Sequence, residues 1–164
     1  MKNRKNFNIY IFIASFFYIG FFPYAPGTAG SAAAFLLYIT FLRFLNPYYY
    51  IASCLIIFVS GIYFSAEAEK ISGIKDPPFV VIDEAFGYLA TMSVVLWMRF
   101  SPLQSVLYGL CGLALFRFFD ISKPFPIGYI DKNVSGGLGI MLDDAAAAVF
   151  SLIILRFITI LNFK

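Results

Sequence analysis

The chain has 164 residues, of which 61% are hydrophobic, 20% aromatic and only 13% charged, a balance too apolar for a water-soluble domain of this size and suited to lipid as the solvent. The net charge of +3 is small, and the basic residues are scattered among aromatic segments rather than gathered in a stripe, which argues against a nucleic-acid partner. Histidine is absent, which removes mechanisms built on a His nucleophile or general acid and every His-ligated zinc or di-iron centre.

The basic start, with Lys2, Arg4 and Lys5, leads into an apolar run at 7–22. Pro23, Tyr24 and Pro26 stand where a signal peptide would carry small cleavage-site residues, so the run is read as part of the mature chain, re-entrant or interfacial rather than spanning. A loop at 23–31 follows, in which Pro26, Gly27, Thr28, Ala29, Gly30 and Ser31 have the character of a phosphate cradle, although small residues also serve close helix packing.

Further apolar stretches lie at 32–45, 48–64, 79–98, 102–119 and 145–161, several of them shorter than the ~20 residues that cross a bilayer upright. Helices are the expected state, because 52–64 and 106–119 are apolar nearly throughout where a barrel strand would alternate. No linker separates the stretches, so residues 1–164 form one integral membrane domain. The expected fold is all-α, a polytopic transmembrane helical bundle with about five spanning helices plus the short N-terminal segment. Cys54 and Cys111 fall inside apolar segments and read as small buried hydrophobes. Cys111 and Arg117 match a Cys-x5-Arg spacing, but the residues between them are apolar and helical in character and form no phosphate loop.

The nine carboxylates occupy two windows: Glu67, Glu69, Asp76, Asp83 and Glu84, then Asp120, Asp131, Asp143 and Asp144. Two apolar segments separate the windows, so two crossings return the chain to the face it left and the acids meet at one mouth. By the same count the loop at 23–31 reaches that mouth. Charges collect at the water boundary in any membrane protein, but Asp83 and Glu84 lie inside an apolar run after Val80, Val81 and Ile82, where ionisable groups are costly and mark function. Arg117 and Asp120 share a helix face; Arg117 and Lys123 are read as cationic donors to a phosphate, with Asp120 facing a metal. Ser135 to Asp144 reads as a Gly-rich loop, with Gly136 and Gly137, leading into an Ala-rich helix with Asp143 and Asp144 at its N-terminus. Adjacent carboxylates beside such a turn suit a hard cation such as Mg²⁺.

Four blocks carry a resemblance: 26–31; Asp76 with Val81-Ile82-Asp83-Glu84 and Gly87; Phe116 to Pro124 with Pro126-Ile127; and Asp131 followed by Gly136 to Asp144. In this order and spacing, over about residues 20–150, the chain resembles the phosphatidylglycerophosphatase A family. It departs at Ala148, near where that family often has a Gly after its paired Asp. The resemblance implies Mg²⁺-dependent hydrolysis of phosphatidylglycerophosphate to phosphatidylglycerol and phosphate in phospholipid biosynthesis.

The expected catalytic and metal-holding residues are Asp83, Glu84, Asp120, Asp143 and Asp144, with Asp76 and Asp131 behind them. Gly27, Thr28, Ser31, Arg117, Lys123, Gly136 and Gly137 are the expected substrate-binding residues. Either water or a carboxylate would attack phosphorus. The alternatives are a phosphatase of another lipid phosphate such as phosphatidate and a non-enzymatic cation transporter; the latter is weakened by acids confined to one face. A nucleotide-lipid phosphotransferase lacks its spaced acidic pattern here. Lys70, Lys75, Lys123 and Lys132 in the loops at the mouth, against mainly Arg99 and Lys164 at the other end, point to a site on the cytoplasmic side, and the resemblance implies a bacterial inner membrane.

Overall fold

The computed structural model describes residues 8–162. Lys2, Arg4, Lys5 and Lys164 lie outside the described residues. Among the described residues seven helices follow one another: α1 (Ile9–Ala14), α2 (Pro26–Thr40), α3 (Pro47–Ser72), α4 (Ile82–Met92), α5 (Pro102–Ser122), α6 (Ile127–Asn133) and α7 (Gly136–Asn162). Short 3-10 turns lie at Ile19–Phe21, Leu42–Phe44 and Ser93–Val95, and no strand occurs among the described residues.

Local chemistry sets where the long helices begin. Asn46 caps α3 by accepting from the Tyr48 amide, and Pro47 fills the first turn, where a missing N–H costs nothing. Ser101 and Gln104 form a reciprocal capping box at the start of α5, again with a proline, Pro102, in the first turn. Four helical stretches among the described residues are long and apolar enough to cross a membrane: Pro26–Phe44, Pro47–Ser72, Pro102–Ser122 and Gly136–Leu161.

The fifth passage is different in kind. The end of α2, the 3-10 turn after it and the start of α5 line one cavity, through Tyr38, Arg43, Phe44 and Pro102. The start of α2 and the end of α5 line another, through Gly27 and Arg117. Since α3 returns the chain to the second end, the segment from Ile82 to Pro102 must cross back. It does so as α4 and a 3-10 turn followed by non-helical chain, and the expected continuous segment at 79–98 is thus broken. Ile82, Ala85, Phe86, Tyr88, Leu89 and Met92 are all buried, so α4 is covered on every side. It touches α2, α3, α5 and α7, and this enclosure is what permits irregular backbone at membrane depth. The Tyr50 hydroxyl donates to the Leu89 carbonyl at 2.7 Å, which satisfies a buried pair between α3 and α4.

The N-terminal segment does not span. α1 has six residues, and Phe16, Phe17 and Tyr18 have positive φ, which stops the helix far short of the ~20 residues that a crossing needs. The Val81 amide donates to the Ala14 carbonyl at 3.0 Å, tying this segment to the entry of α4.

Candidate active site

At the shared end of α2, α4, α5 and α7 a cavity of about 340 Å³ opens, lined by Pro26, Gly27, Asp76, Asp83, Glu84, Arg117, Asp120, Lys123, Asp143 and Asp144, among others. All five carboxylates expected to do the chemistry therefore meet, with Asp76 beside them. Topology explains the meeting, since each residue lies on a helix end or inner face pointing to the same mouth.

Asp83 and Glu84 occupy the first turn of α4. There the unpaired backbone N–H groups and the positive end of the helix dipole favour negative charge. Asp143 and Asp144 are placed differently from the sequence expectation. The Gly-rich stretch is no loop: α7 starts at Gly136, so the two acids lie two turns inside it. They belong to the buried stripe of α7 that continues through Ala147, Ala148, Ser151 and Leu155.

The glycines account for the difference. A Cβ on Gly137 would meet the Ile62 carbonyl and the Ala66 amide of α3. Gly137 thus sets the approach of α7 to α3 and does not line the cavity. Gly136 borders a smaller recess with Glu69, Lys75, Asp76, Asp131 and Asp143. The stretch at 26–31 is likewise the first turns of α2. Within it Gly27 faces the site, Thr28 is exposed, and Ser31 is buried with its hydroxyl donating to the Gly27 carbonyl at 2.6 Å. Ser31 therefore has no free donor for a phosphate.

Charge pairing divides the cavity into two kinds of carboxylate. Arg117 donates to Asp120 at 2.5 Å and stands 3.9 Å from Glu84. Lys123 bridges Asp131 at 2.6 Å and Asp143 at 2.7 Å. Burial works against the Lys123 ammonium, but hydrogen bonds to Asp131 and Asp143 outweigh it and raise its pKa above the usual lysine value. Asp131, a secondary candidate from sequence, is thus a partner of Lys123 and does not line the main cavity. The sequence carried no direct sign of this bridge, which forms because Pro124 and Pro126 turn the chain into α6 and bring Asp131 back over Lys123.

Asp83, Glu84 and Asp144 form the other kind. Each offers a carboxylate oxygen within 4.8 Å of the others. Asp83 Oδ1, Glu84 Oε2 and Asp144 Oδ2 are buried without a hydrogen-bond partner. Three buried carboxylates at that separation repel one another, and oxygens this starved of donors fit a hard divalent cation. Asp120 and Asp143, by contrast, are hydrogen-bonded directly to Arg117 and Lys123.

Fold and site together define an integral membrane helical bundle with an acidic, cation-flanked centre at one end. The comparisons narrow this class. A profile of the family described as phosphatidylglycerophosphatase A matches residues 12–159. A Haemophilus influenzae protein named phosphatidylglycerophosphatase A is 35% identical over 130 residues, covering 79% of this chain and 76% of that one. An Escherichia coli protein of the same name is 34% identical over 158 residues, covering 96% and 88%. A Bacteroides thetaiotaomicron protein, provisionally named phosphatidylinositol-3-phosphatase, is 35% identical over 157 residues, covering 88% and 90%. No solved structure matches. The chain belongs to the phosphatidylglycerophosphatase A family, and it is a phosphatase.

Proposed function

We propose that this protein hydrolyses the terminal phosphate monoester of phosphatidylglycerophosphate, releasing phosphatidylglycerol and phosphate, with Mg²⁺ as its cofactor and its site at the cytoplasmic face of a bacterial inner membrane. The family and the names of two relatives support the substrate. The observation that carries the chemistry is the pairing, in one cavity at a membrane end, of three orphaned carboxylate oxygens with Arg117 and Lys123.

Asp83, Glu84 and Asp144 would hold the Mg²⁺, which when bound neutralises charge on the phosphate oxygens and polarises the P–O bond. Asp120 holds the Arg117 guanidinium at the cavity wall, and Asp143 with Asp131 holds the Lys123 ammonium. Both cations thus stand in place before a phosphate arrives, which lowers the cost of reorganising them during reaction. The planar guanidinium suits two oxygens of a phosphate, while the ammonium serves as a point charge. Lipid tails stay in the bilayer beside the apolar helices, so the mouth selects a phosphate tethered to lipid.

The test is phosphate release by the purified protein in mixed micelles with Mg²⁺, comparing kcat/KM for phosphatidylglycerophosphate, phosphatidate, phosphatidylinositol 3-phosphate and glycerol 3-phosphate. The expected order puts phosphatidylglycerophosphate first by about tenfold or more, a difference that one or two extra headgroup hydrogen bonds supply. Equal or faster cleavage of phosphatidate or the inositide would overturn the substrate and leave the phosphatase intact.

A further inference from the structure

At the membrane end opposite the carboxylates, a second cavity of about 330 Å³ is lined by Tyr38, Arg43, Phe44, Arg99 and Phe100, among others. Its charge is one-sided. All nine carboxylates of the chain lie at 67–84 and 120–144, and every ion pair among the described residues is made at the other end. Among the described residues Arg43 and Arg99 therefore have no anionic partner. Arg156 adds a third positive charge nearby, reaching the Met98 sulfur at 3.8 Å.

Arg43 does not simply project into water. Its guanidinium lies over the Phe44 ring, 4.4 Å from the centroid, and its Nε is buried without a hydrogen-bond partner. An arginine free to snorkel would carry its whole head out of the apolar zone. This one is held half-buried at a cavity wall with an unused donor, a costly arrangement unless an anion completes it. The anions that lie at this depth by default are the phosphates of the adjacent leaflet.

We propose that this cavity binds the phosphate of an anionic phospholipid from the leaflet opposite the catalytic mouth, with Arg43 and Arg99 as its donors. The absence of acids sets the specificity. A zwitterionic headgroup brings a positive charge of its own, and no Asp or Glu side chain stands at this end of the bundle to balance it. A headgroup without an ammonium meets only matching charge. Aromatic Phe44 and Phe100 at the rim suit the boundary between headgroups and acyl chains. None of this depends on which substrate the catalytic mouth accepts.

Native mass spectrometry of the delipidated full chain, titrated separately with phosphatidylglycerol, phosphatidylcholine and inorganic phosphate, tests the proposal. Wild type should bind one phosphatidylglycerol more than the Arg43→Gln/Arg99→Gln double variant, or bind it about tenfold more tightly, as expected when two charge-assisted hydrogen bonds are lost. Phosphatidylcholine binding should not distinguish the two. Arg99→Gln alone, at an exposed position, should fold normally and give an intermediate loss. Equal phosphatidylglycerol binding by all three proteins would overturn the proposal. So would an equal loss of phosphatidylcholine in the double variant, or displacement of the lipid by inorganic phosphate at submillimolar concentration, since a free anion would then be the ligand.

Discussion

Gly27 of α2 lies so close to Glu84 of α4 that a Cβ added to Gly27 would overlap the Glu84 carboxylate and stand 3.1 Å from the Arg117 guanidinium. The start of one helix is thereby shaped around the carboxylate of another, and the glycine leaves the room in which Glu84 and Arg117 meet.

Gly27→Ala should therefore damage activity more than stability. Alanine gains up to about 1 kcal/mol of helix propensity, and the group it displaces is the flexible end of a side chain. A shift of the carboxylate by about 1 Å is enough to cost on the order of 100-fold in turnover. Phosphate release should fall by about that factor while the melting temperature stays within about 3 °C of wild type. A variant that keeps full turnover would show that Glu84 is not needed where it stands.

Removing divalent metal should abolish hydrolysis, and Mg²⁺ should restore it. The buried trio gives a readout that is independent of activity. Asp83, Glu84 and Asp144 repel one another without a cation, so Mg²⁺ should raise the melting temperature of wild type. Asp83→Asn and Asp144→Asn should each cut turnover by ~100-fold or more and blunt that Mg²⁺ stabilisation. Glu67→Gln should do neither, because Glu67 pairs with exposed Lys70 on α3. A thermal response to Mg²⁺ that survives Asp144→Asn would remove Asp144 from the metal site.

Gly137→Ala tests the packing role that replaces the expected phosphate cradle. The added methyl would press on backbone atoms of Ile62 and Ala66, which cannot swing aside as a side chain can. Overpacking of this kind costs about 1–3 kcal/mol, which exceeds the helix-propensity gain. The melting temperature should drop by several degrees, about 2–4 °C per kcal/mol for a chain of this size, and activity should fall only with the loss of folded protein. An unchanged melting temperature with a raised KM would restore the phosphate reading.

What could be read from the letters was what depends on counting and cost. Apolar runs gave the crossings, and the parity of crossings put Asp83 and Asp144 at one mouth without any geometry. Helix starts and pairings were harder, because they depend on neighbours distant in the chain. A stretch such as Gly136-Gly137-Leu138-Gly139 has the composition of a turn, yet it is helical because small residues let α7 lie against α3. The short central α4 hid inside an apolar run that looked continuous, since its buried residues are as apolar as the chain before and after it. The sequence placed Arg117 and Asp120 on one helix face, but it did not show that Asp143 is hydrogen-bonded to Lys123 while Asp83, Glu84 and Asp144 each keep a buried oxygen without a partner. That difference follows from where two cations come to rest.

Orientation is the last expectation to be tested, and the structure sharpens the count behind it. Lys70, Lys75, Arg117, Lys123 and Lys132 lie at or near the catalytic mouth, five positive charges. Arg43, Arg99 and Arg156 lie toward the opposite end, three positive charges among the described residues, where the sequence points to Arg99 and Lys164. The excess of two at the mouth has the sign that the positive-inside bias associates with the cytoplasmic side. With Cys54 and Cys111 replaced, a single cysteine at Asn133 reports the catalytic end and one at Tyr48 reports the other; both positions are exposed. A membrane-impermeant thiol reagent applied to intact cells should modify Tyr48→Cys and spare Asn133→Cys, and permeabilised cells should allow both to react. Modification of Asn133→Cys in intact cells would turn the catalytic mouth outward, and the cytoplasmic assignment would fail while the metal-phosphatase chemistry stood unchanged.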